Sequence, residues 1–246
     1  MHASLYTISN MTDTHLEIHP IQVGILRVLL FRPEARFSEL NTAKIPNDHF
    51  TFHLKTLLDS GLIKKGEDGL YTLTESGKEF ANRFDTEASM PVIERQAKIG
   101  ALVVCVDDSG PERKYLVQKR LKQPFYGFYG FVTGKIKWGE TVEEAAIREL
   151  DEETGLSADL KLLAVKHKMD YTPEGKILED KYFFAFLAEH PKGELIYSFE
   201  GGENGWFTEE EINNLPDLFD GVRESIEASK NKSLTFLENK FTVSKY

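Results

Sequence analysis

Cysteine is almost absent. Cys105 is the single thiol in 246 residues, so no disulfide within the chain is available and a reducing compartment fits best. It falls in the apolar run 101–106, where a small buried side chain is expected rather than a reactive one. Long apolar runs are missing too, since no segment approaches the ~20 residues that cross a bilayer. Residues 1–10 have neither a basic start nor a continuous apolar stretch, the two marks of a secretion signal. The expectation is a cytoplasmic protein with no membrane partner. Positive charge is in deficit, with 30 basic residues against 40 acidic ones for a net −10, which disfavours a chain that lives mainly on phosphate contacts. Repeats, low-complexity tracts and lipidation signals are also lacking. What is present is ordinary globular composition, 41% hydrophobic and 28% charged, which excludes bulk disorder and suits one large or two modest domains.

Two differently patterned halves meet at residues 85–97, where Thr86, Ser89 and Pro91 interrupt helical periodicity. The expected domains are residues 1–90 and 91–246. Residues 1–90 carry 9 basic and 12 acidic residues and the remainder 21 and 28, so neither half is a basic module. In the first half Ile21, Ile25, Val28 and Leu29 recur at helical spacing after Pro20, a suitable first-turn residue, and Pro33 closes the segment. Residues 37–40 suggest a short second helix. Phe50, Leu54, Leu57 and Leu58 mark a third, with Asn47 as its expected cap and Gly61 as its stop. Short strands at 62–64 and 70–73 flank a glycine-bearing turn, and Thr74 is placed to cap a helix reaching about Phe84.

This order over residues 18–85 resembles a winged helix-turn-helix, chiefly through residues 47–61 and Tyr71-Thr72-Leu73-Thr74-Glu75-Ser76-Gly77. The resemblance implies a third helix in the major groove of double-stranded DNA, a wing on the backbone, and a homodimer on a palindromic site. Winding helix three with its apolar set inward turns Asp48, Phe52, Lys55 and Thr56 outward and leaves His49 at the edge. With Lys64 and Lys65 of the wing, the candidate DNA contacts are therefore His49, Phe52, Lys55 and Thr56. That face is electrostatically poor. Phe52 suits a thymine methyl or, somewhat better, another protein surface, and the lysine pair could meet phosphate, although a solvated strand edge is its usual reading. His49 and His53 have i, i+4 spacing but no further ligand cluster beside them, so a metal is not expected there.

The second half opens with a strand at 99–106, a turn at 107–111 and a strand at 115–118, read together as a hairpin. An aromatic and glycine-rich stretch, 125–134, follows Pro124. Thr141 and Glu144 then have capping-box spacing, and Ala145, Ala146, Ile147 and Leu150 supply helix-forming apolar positions. Gly155 stands where a left-handed terminator belongs, so a helix is expected over about residues 142–154. Glu149, Glu152 and Glu153 share one face of it, and uncompensated like charges at such spacings cost about 0.2–0.5 kcal/mol per pair. A cation is expected there. Carboxylate oxygens suit Mg²⁺ or Mn²⁺, which also bind substrate phosphate, although an isolated Glu-x-x-Glu-Glu would be read as a solvated face.

The surroundings overturn that plainer reading. Gly134-x5-Glu140-x7-Arg148-Glu149-Leu150-x-Glu152-Glu153-x-Gly155-Leu156 matches the complete signature box of the Nudix hydrolases, at a chance rate of roughly one in 10⁹ per starting position. The family's domain would account for about residues 96–215, including Gly205-Trp206-Phe207-Thr208 before an acidic helix. The resemblance implies an α+β chain: a winged helix-turn-helix followed by an α/β/α sandwich around a mixed sheet. It implies Glu149 and Glu153 as main ligands of Mg²⁺ or Mn²⁺, Glu152 as a further ligand or base, and the Gly134 carbonyl completing the set. Arg148 and Glu140 would form an orienting ion pair. The implied reaction is water attack on the pyrophosphate link of a nucleoside diphosphate derivative, such as ADP-ribose, a dinucleoside polyphosphate or a (d)NTP. The proton would go to Glu152, Glu149 or a downstream acid such as Glu203.

Substrate recognition is less legible. Phe128, Tyr129 and Phe131 can stack on a base, though core packing is the commoner fate of such residues, and Trp206 and Phe207 are expected to pack. Tyr171 and Pro173 fall near a position that some subfamilies use, without choosing a substrate. His167, Lys168, Asp170, Asp180 and Lys181 either reach the sugar or phosphates or stand as solvated strand ends, the plainer reading. Beyond residue 215, Leu218, Phe219, Val222 and Ile226 suggest a helix, and 234–243 an apolar segment that packs on the core or on a dimer partner. Two readings besides the hydrolase remain: a nucleotide-metabolite-sensing regulator that binds DNA through its winged helix, and a winged helix that docks protein.

Overall fold

A computed structural model describes residues 6–8, 16–83, 96–231 and 233–245. The expected linker signals at Thr86, Ser89 and Pro91, and the expected helix end at Phe84, lie outside the described residues. The chain divides into two compact units, Met1–Arg95 and Gln96–Tyr246.

The first unit begins with a short antiparallel pair, β1 (Tyr6–Ile8) and β2 (Leu16–Ile18). Helix α1 (Pro20–Phe31) starts where Pro20 has no N–H to lose, and the His19 ring accepts a hydrogen bond from the Ile21 amide at 3.2 Å. α2 (Phe37–Leu40), α3 (Asn47–Asp59), the hairpin β3 (Ile63–Lys65) and β4 (Tyr71–Leu73), and α4 (Glu75–Ala81) follow. That is the order of a winged helix-turn-helix. Asn47 does not cap α3, as the sequence suggested; Pro46 holds that position, and Asn47 is already helical, its carbonyl accepting from the Thr51 hydroxyl. Gly61 does end the helix with φ +69°, and Thr74 caps α4 through a 3.0 Å bond from the Gly77 amide. Ile25, Leu26, Leu29, Leu40, Phe50, Leu54 and Leu57 fill one core, which leaves the opposite side of α3 to solvent.

In the second unit the strands are β5 (Lys98–Asp107), β6 (Lys114–Arg120), β7 (Tyr129–Gly130), β8 (Val132–Lys135), β9 (Leu156–Tyr171), β10 (Ile177–Gly193), β11 (Ser198–Phe199), β12 (Gly202–Phe207) and β13 (Thr235–Thr242). They form one mixed sheet in the order β11-β12-β6-β5-β10-β9-β13, with β7 beside β6 and β8 beside β5. β10 runs parallel to β5 and β13 parallel to β9. The expected C-terminal tail is thus an edge strand.

Alternation along β5 supplies two cores, because successive side chains point to opposite faces. Ala101, Val103 and Cys105 meet Ala145, Ala146 and Leu150 of α5 (Val142–Thr154). Leu102, Val104 and Val106 meet Val222 and Ile226 of α7 (Val222–Asn231). Helices therefore cover both faces, with the short α6 (Glu209–Asn213) following β12. Trp206 and Phe207 pack into opposite cores. Cys105 is fully buried and its thiol pKa is pushed up to about 12, an inert structural residue. Among the described residues no helix is long and apolar enough to cross a membrane.

Candidate active site

Helix α5 is fixed at both ends. The Glu144 amide donates to the Thr141 hydroxyl at 3.2 Å, the Thr141 amide donates to the Glu144 carboxylate at 2.8 Å, and Gly155 takes φ +71°. Within it Arg148 gathers the acids. Its Nε and Nη2 donate to the two carboxylate oxygens of Glu140 at 2.7 and 3.0 Å, its Nη1 to Glu149 at 2.6 Å and Glu152 at 3.2 Å, and its Nη2 also to the Lys135 carbonyl at 3.0 Å. Within the protein this guanidinium compensates Glu149 and Glu152, and it does not reach Glu153. It stays charged, and together with the Lys137 amide it holds Glu140 down at a pKa of about 2.

Glu149 and Glu153 form the inner pair. Gly134, on β8, lies against the Glu149 carboxylate so closely that a Cβ there would stand 1.7 Å from Glu149 Cδ. Glu153 accepts from Gln118 Nε2 at 3.0 Å, and Asn204 Nδ2 donates to the Glu153 carbonyl at 2.8 Å. Burial and the nearby Glu149 charge raise the Glu153 pKa, against the opposing pull of Gln118, Lys122 and Arg120. Glu152 stands apart, 55% exposed and engaged with Arg148 and, at 3.9 Å, Lys137. Among the described residues no three carboxylate, imidazole or thiolate groups converge on one point. The all-oxygen donor set, the mutual repulsion of the pair and the glycine cradle nevertheless fit a hard divalent cation between Glu149 and Glu153.

Several expected contacts are placed elsewhere. Phe128 and Phe131 are buried, the first among Phe125, Phe219 and Val243 and the second in the α7-side core, so they are packing residues and neither offers a face to a base. Tyr129 is half-buried beneath the Lys119 ammonium, 5.9 Å from its ring centre. Glu203 pairs with Lys119 on the neighbouring strand. Because Gln118 and Asn204 hold Glu153 from the other face of those strands, alternation turns Glu203 away from Glu153, and it cannot share a proton with that site. Gln118 and Asn204 were missed by the sequence reading. Their signal was a polar residue in each of two strands, informative only once the register pairs them.

The strand residues beyond the box are not solvated ends. His167 is bridged to Asp180 at 3.0 Å and Glu238 at 2.7 Å and stacks on Tyr182, while Asp170 is buried against Lys168. In the first unit His49, Phe52, Lys55 and Thr56 are exposed together on α3, and Lys64 and Lys65 are exposed on the wing. His53 is buried instead. It stacks on His19 at 4.3 Å, lies 5.4 Å from His49, and neither of its ring nitrogens has a hydrogen-bond partner.

A family model described as the NUDIX domain matches residues 97–228. An ADP-ribose pyrophosphatase of Methanocaldococcus jannaschii is 37% identical over 108 residues, 44% of this chain and 60% of that protein. A Nudix hydrolase of Bacillus subtilis, YvcI, is 29% identical over 96 residues, 39% of this chain and 61% of its own. The chain thus spans about three fifths of the length of these two relatives. Among solved structures, a MutT protein from Bacillus halodurans superposes with a TM-score of 0.51 at 22% identity, covering 61% of this chain and 93% of that one. The NUDIX domain of Shewanella oneidensis NrtR, solved with ADP-ribose, superposes at 0.50 with 18% identity, covering 65% and 98%. At these identities the two structures show a shared fold.

Proposed function

The chain belongs to the Nudix family, and from that membership we propose that it hydrolyses the pyrophosphate link of a nucleoside diphosphate derivative, with Mg²⁺ or Mn²⁺ held by Glu149 and Glu153. The observation that carries this reading is the coupled Glu149–Glu153 pair above Gly134, locked from behind by the Arg148–Glu140 ion pair. A bound divalent ion would neutralise phosphate charge and make a water molecule nucleophilic. The protein's own groups do the rest. Gln118 fixes the Glu153 carboxylate, Arg148 sets the orientation of Glu149, and the proton of the attacking water goes to Glu149 or the exposed Glu152. Lys122 and Arg120, which act electrostatically on Glu153, favour an anionic substrate at the same end of the helix. The named activity of the Methanocaldococcus relative and the ADP-ribose bound to the NrtR domain support ADP-ribose as the first compound to assay. Dinucleoside polyphosphates and (d)NTPs follow.

The test is release of nucleotide or phosphate from such a panel with Mg²⁺, beside Glu153→Gln. Turnover of one compound that falls by a factor of about 100 or more in the variant establishes the hydrolase. Absence of turnover, with a panel compound raising the melting temperature, favours the regulator reading instead. The exposed set on α3 and the wing supports that second reading, in which a homodimer binds double-stranded DNA. DNA binding that weakens steeply with salt would support it, and salt-insensitive protein capture would favour docking through Phe52.

A further inference from the structure

The sheet of the second unit has two unequal edges. β11 ends one side with two residues, Ser198–Phe199, too short to template another chain. β13 ends the other with eight, Thr235–Thr242, and among the described residues no strand pairs with its outer side. Long open edges are ordinarily blocked by proline, by a bulge or by unmatched charge, lysine above all. β13 contains no proline, and its register with β9 advances one residue at a time without a bulge. Leu234 just before it and Phe236 within it are 66% and 61% exposed. Its two charges, Glu238 and Lys240, are opposite in sign.

The direction of the free backbone groups fixes how a further strand can bind. The Val243 amide donates to the Tyr171 carbonyl at 2.8 Å, so it turns toward β9, and alternation turns the backbone groups of residues 241, 239, 237 and 235 the same way. Phe236, Glu238, Lys240 and Thr242 therefore direct their N–H and C=O groups outward. Their side chains are exposed as well, while Leu237 packs toward the α7-side core. His167 holds the Glu238 carboxylate at 2.7 Å and leaves it 54% exposed. An identical strand running antiparallel about a two-fold axis at Asn239 sets Glu238 opposite the partner's Lys240, Phe236 opposite the partner's Thr242 and Leu237 opposite the partner's Phe241. Outward residues then meet outward residues, as hydrogen-bonded pairs require. Moving the axis to Glu238 sets glutamate against glutamate, moving it to Lys240 sets lysine against lysine, and a parallel copy in direct register does both. An axis between two residues opposes outward groups to groups already turned toward β9.

We propose that β13 is a homodimer interface, through which two copies of this chain join their sheets edge to edge by antiparallel pairing about Asn239. The contact is closed, because each copy uses its one long edge and the short β11 edges left at the two ends do not extend it. Main-chain hydrogen bonds supply affinity, and the crossed pairs of Glu238 with the partner's Lys240 set direction and register. The interface rests on neither the hydrolase nor the DNA-binding reading.

The experiment is analytical ultracentrifugation of the full chain and of Glu238→Lys, Lys240→Glu and the double exchange. The wild type should sediment as a dimer. Each single reversal should raise the dissociation constant by about 10-fold or more, and the double exchange should restore it to within about 3-fold. Because Glu238 also holds His167, Asn239→Cys supplies a readout that leaves both charges in place. Facing residues at position 239 form a non-hydrogen-bonded pair with Cα atoms about 4.5 Å apart, a separation that a disulfide spans. Mild oxidation should convert this variant to a covalent dimer, while the wild type, whose single Cys105 is buried, stays uncrosslinked. A monomeric wild type overturns the proposal and leaves the edge to a strand of another protein. A dimer that the single reversals leave intact, that the double exchange does not restore, or that Asn239→Cys fails to cross-link is formed elsewhere on the chain, and also overturns it.

Discussion

Gly134 and Glu149 are in contact without any room between them, since a Cβ on the glycine would coincide with the carboxylate. One residue comes from a strand and the other from the following helix, so the glycine sets where the acid can stand. Gly134→Ala should fold, because a side-chain carboxylate can swing aside. It should lower kcat/KM by about 100-fold through misplacing Glu149. Near-wild-type kinetics in the alanine variant would remove the cradle from the site.

The Arg148–Glu140 pair gives a pH signature. Glu140 titrates at about 2 in the folded protein, well below the ordinary glutamate value of about 4.3. Its contribution to stability is therefore complete above that ordinary value and is lost as pH falls from there toward about 2. The difference in urea midpoint between wild type and Glu140→Gln should be constant from about pH 7 to 5 and shrink below about pH 4. A difference that grows on acidification would contradict the pairing.

Phe131 separates packing from base stacking. It is a buried member of the α7-side core, so Phe131→Ala should destabilise the second unit by about 3–5 kcal/mol. KM measured on the folded enzyme at low temperature should stay at the wild-type value. A raised KM with unchanged thermal stability would restore the stacking role.

In the first unit burial, with the neighbouring histidines, lowers the His53 pKa below its ordinary value. The unfolded chain then binds a proton that the folded one excludes, so stability falls as pH drops below about 6.5. His53→Phe keeps a flat ring against His19 and removes the titrating group. Urea midpoints of the variant between about pH 8 and 5.5 should change less than those of wild type; identical pH dependence in the two would show that His53 does not govern it.

Patterns confined to one element were legible from residues alone. Helix α5 runs over Val142–Thr154 as its capping box and terminal glycine predict, because both signals act within a turn of the helix they bound. The outward set on α3 follows from local spacing in the same way, whereas the Arg148–Glu140 pair is implied by the resemblance to the Nudix box. Asn47 misled because a cap depends on the dihedrals of the entering chain, and those were set by Pro46. The aromatics Phe128 and Phe131 carry no sign of which side of a sheet they meet, and only packing of the sheet against α7 and the Phe125–Phe219 cluster buried them.

By itself the sequence determined the helices of both units, the wing hairpin and the acid set of the box, since capping, helical periodicity and the spacing of the box are properties of neighbours along the chain. Tertiary structure alone decided the register of β5, β6, β9, β10 and β12. That register aligned Gln118 with Asn204 behind Glu153, turned Glu203 to the opposite face, and brought Lys98, Lys181 and Lys168 into one row. The physical reason is that a strand specifies which residues alternate, whereas its neighbours specify what each residue faces, and a shift of one position exchanges every partner.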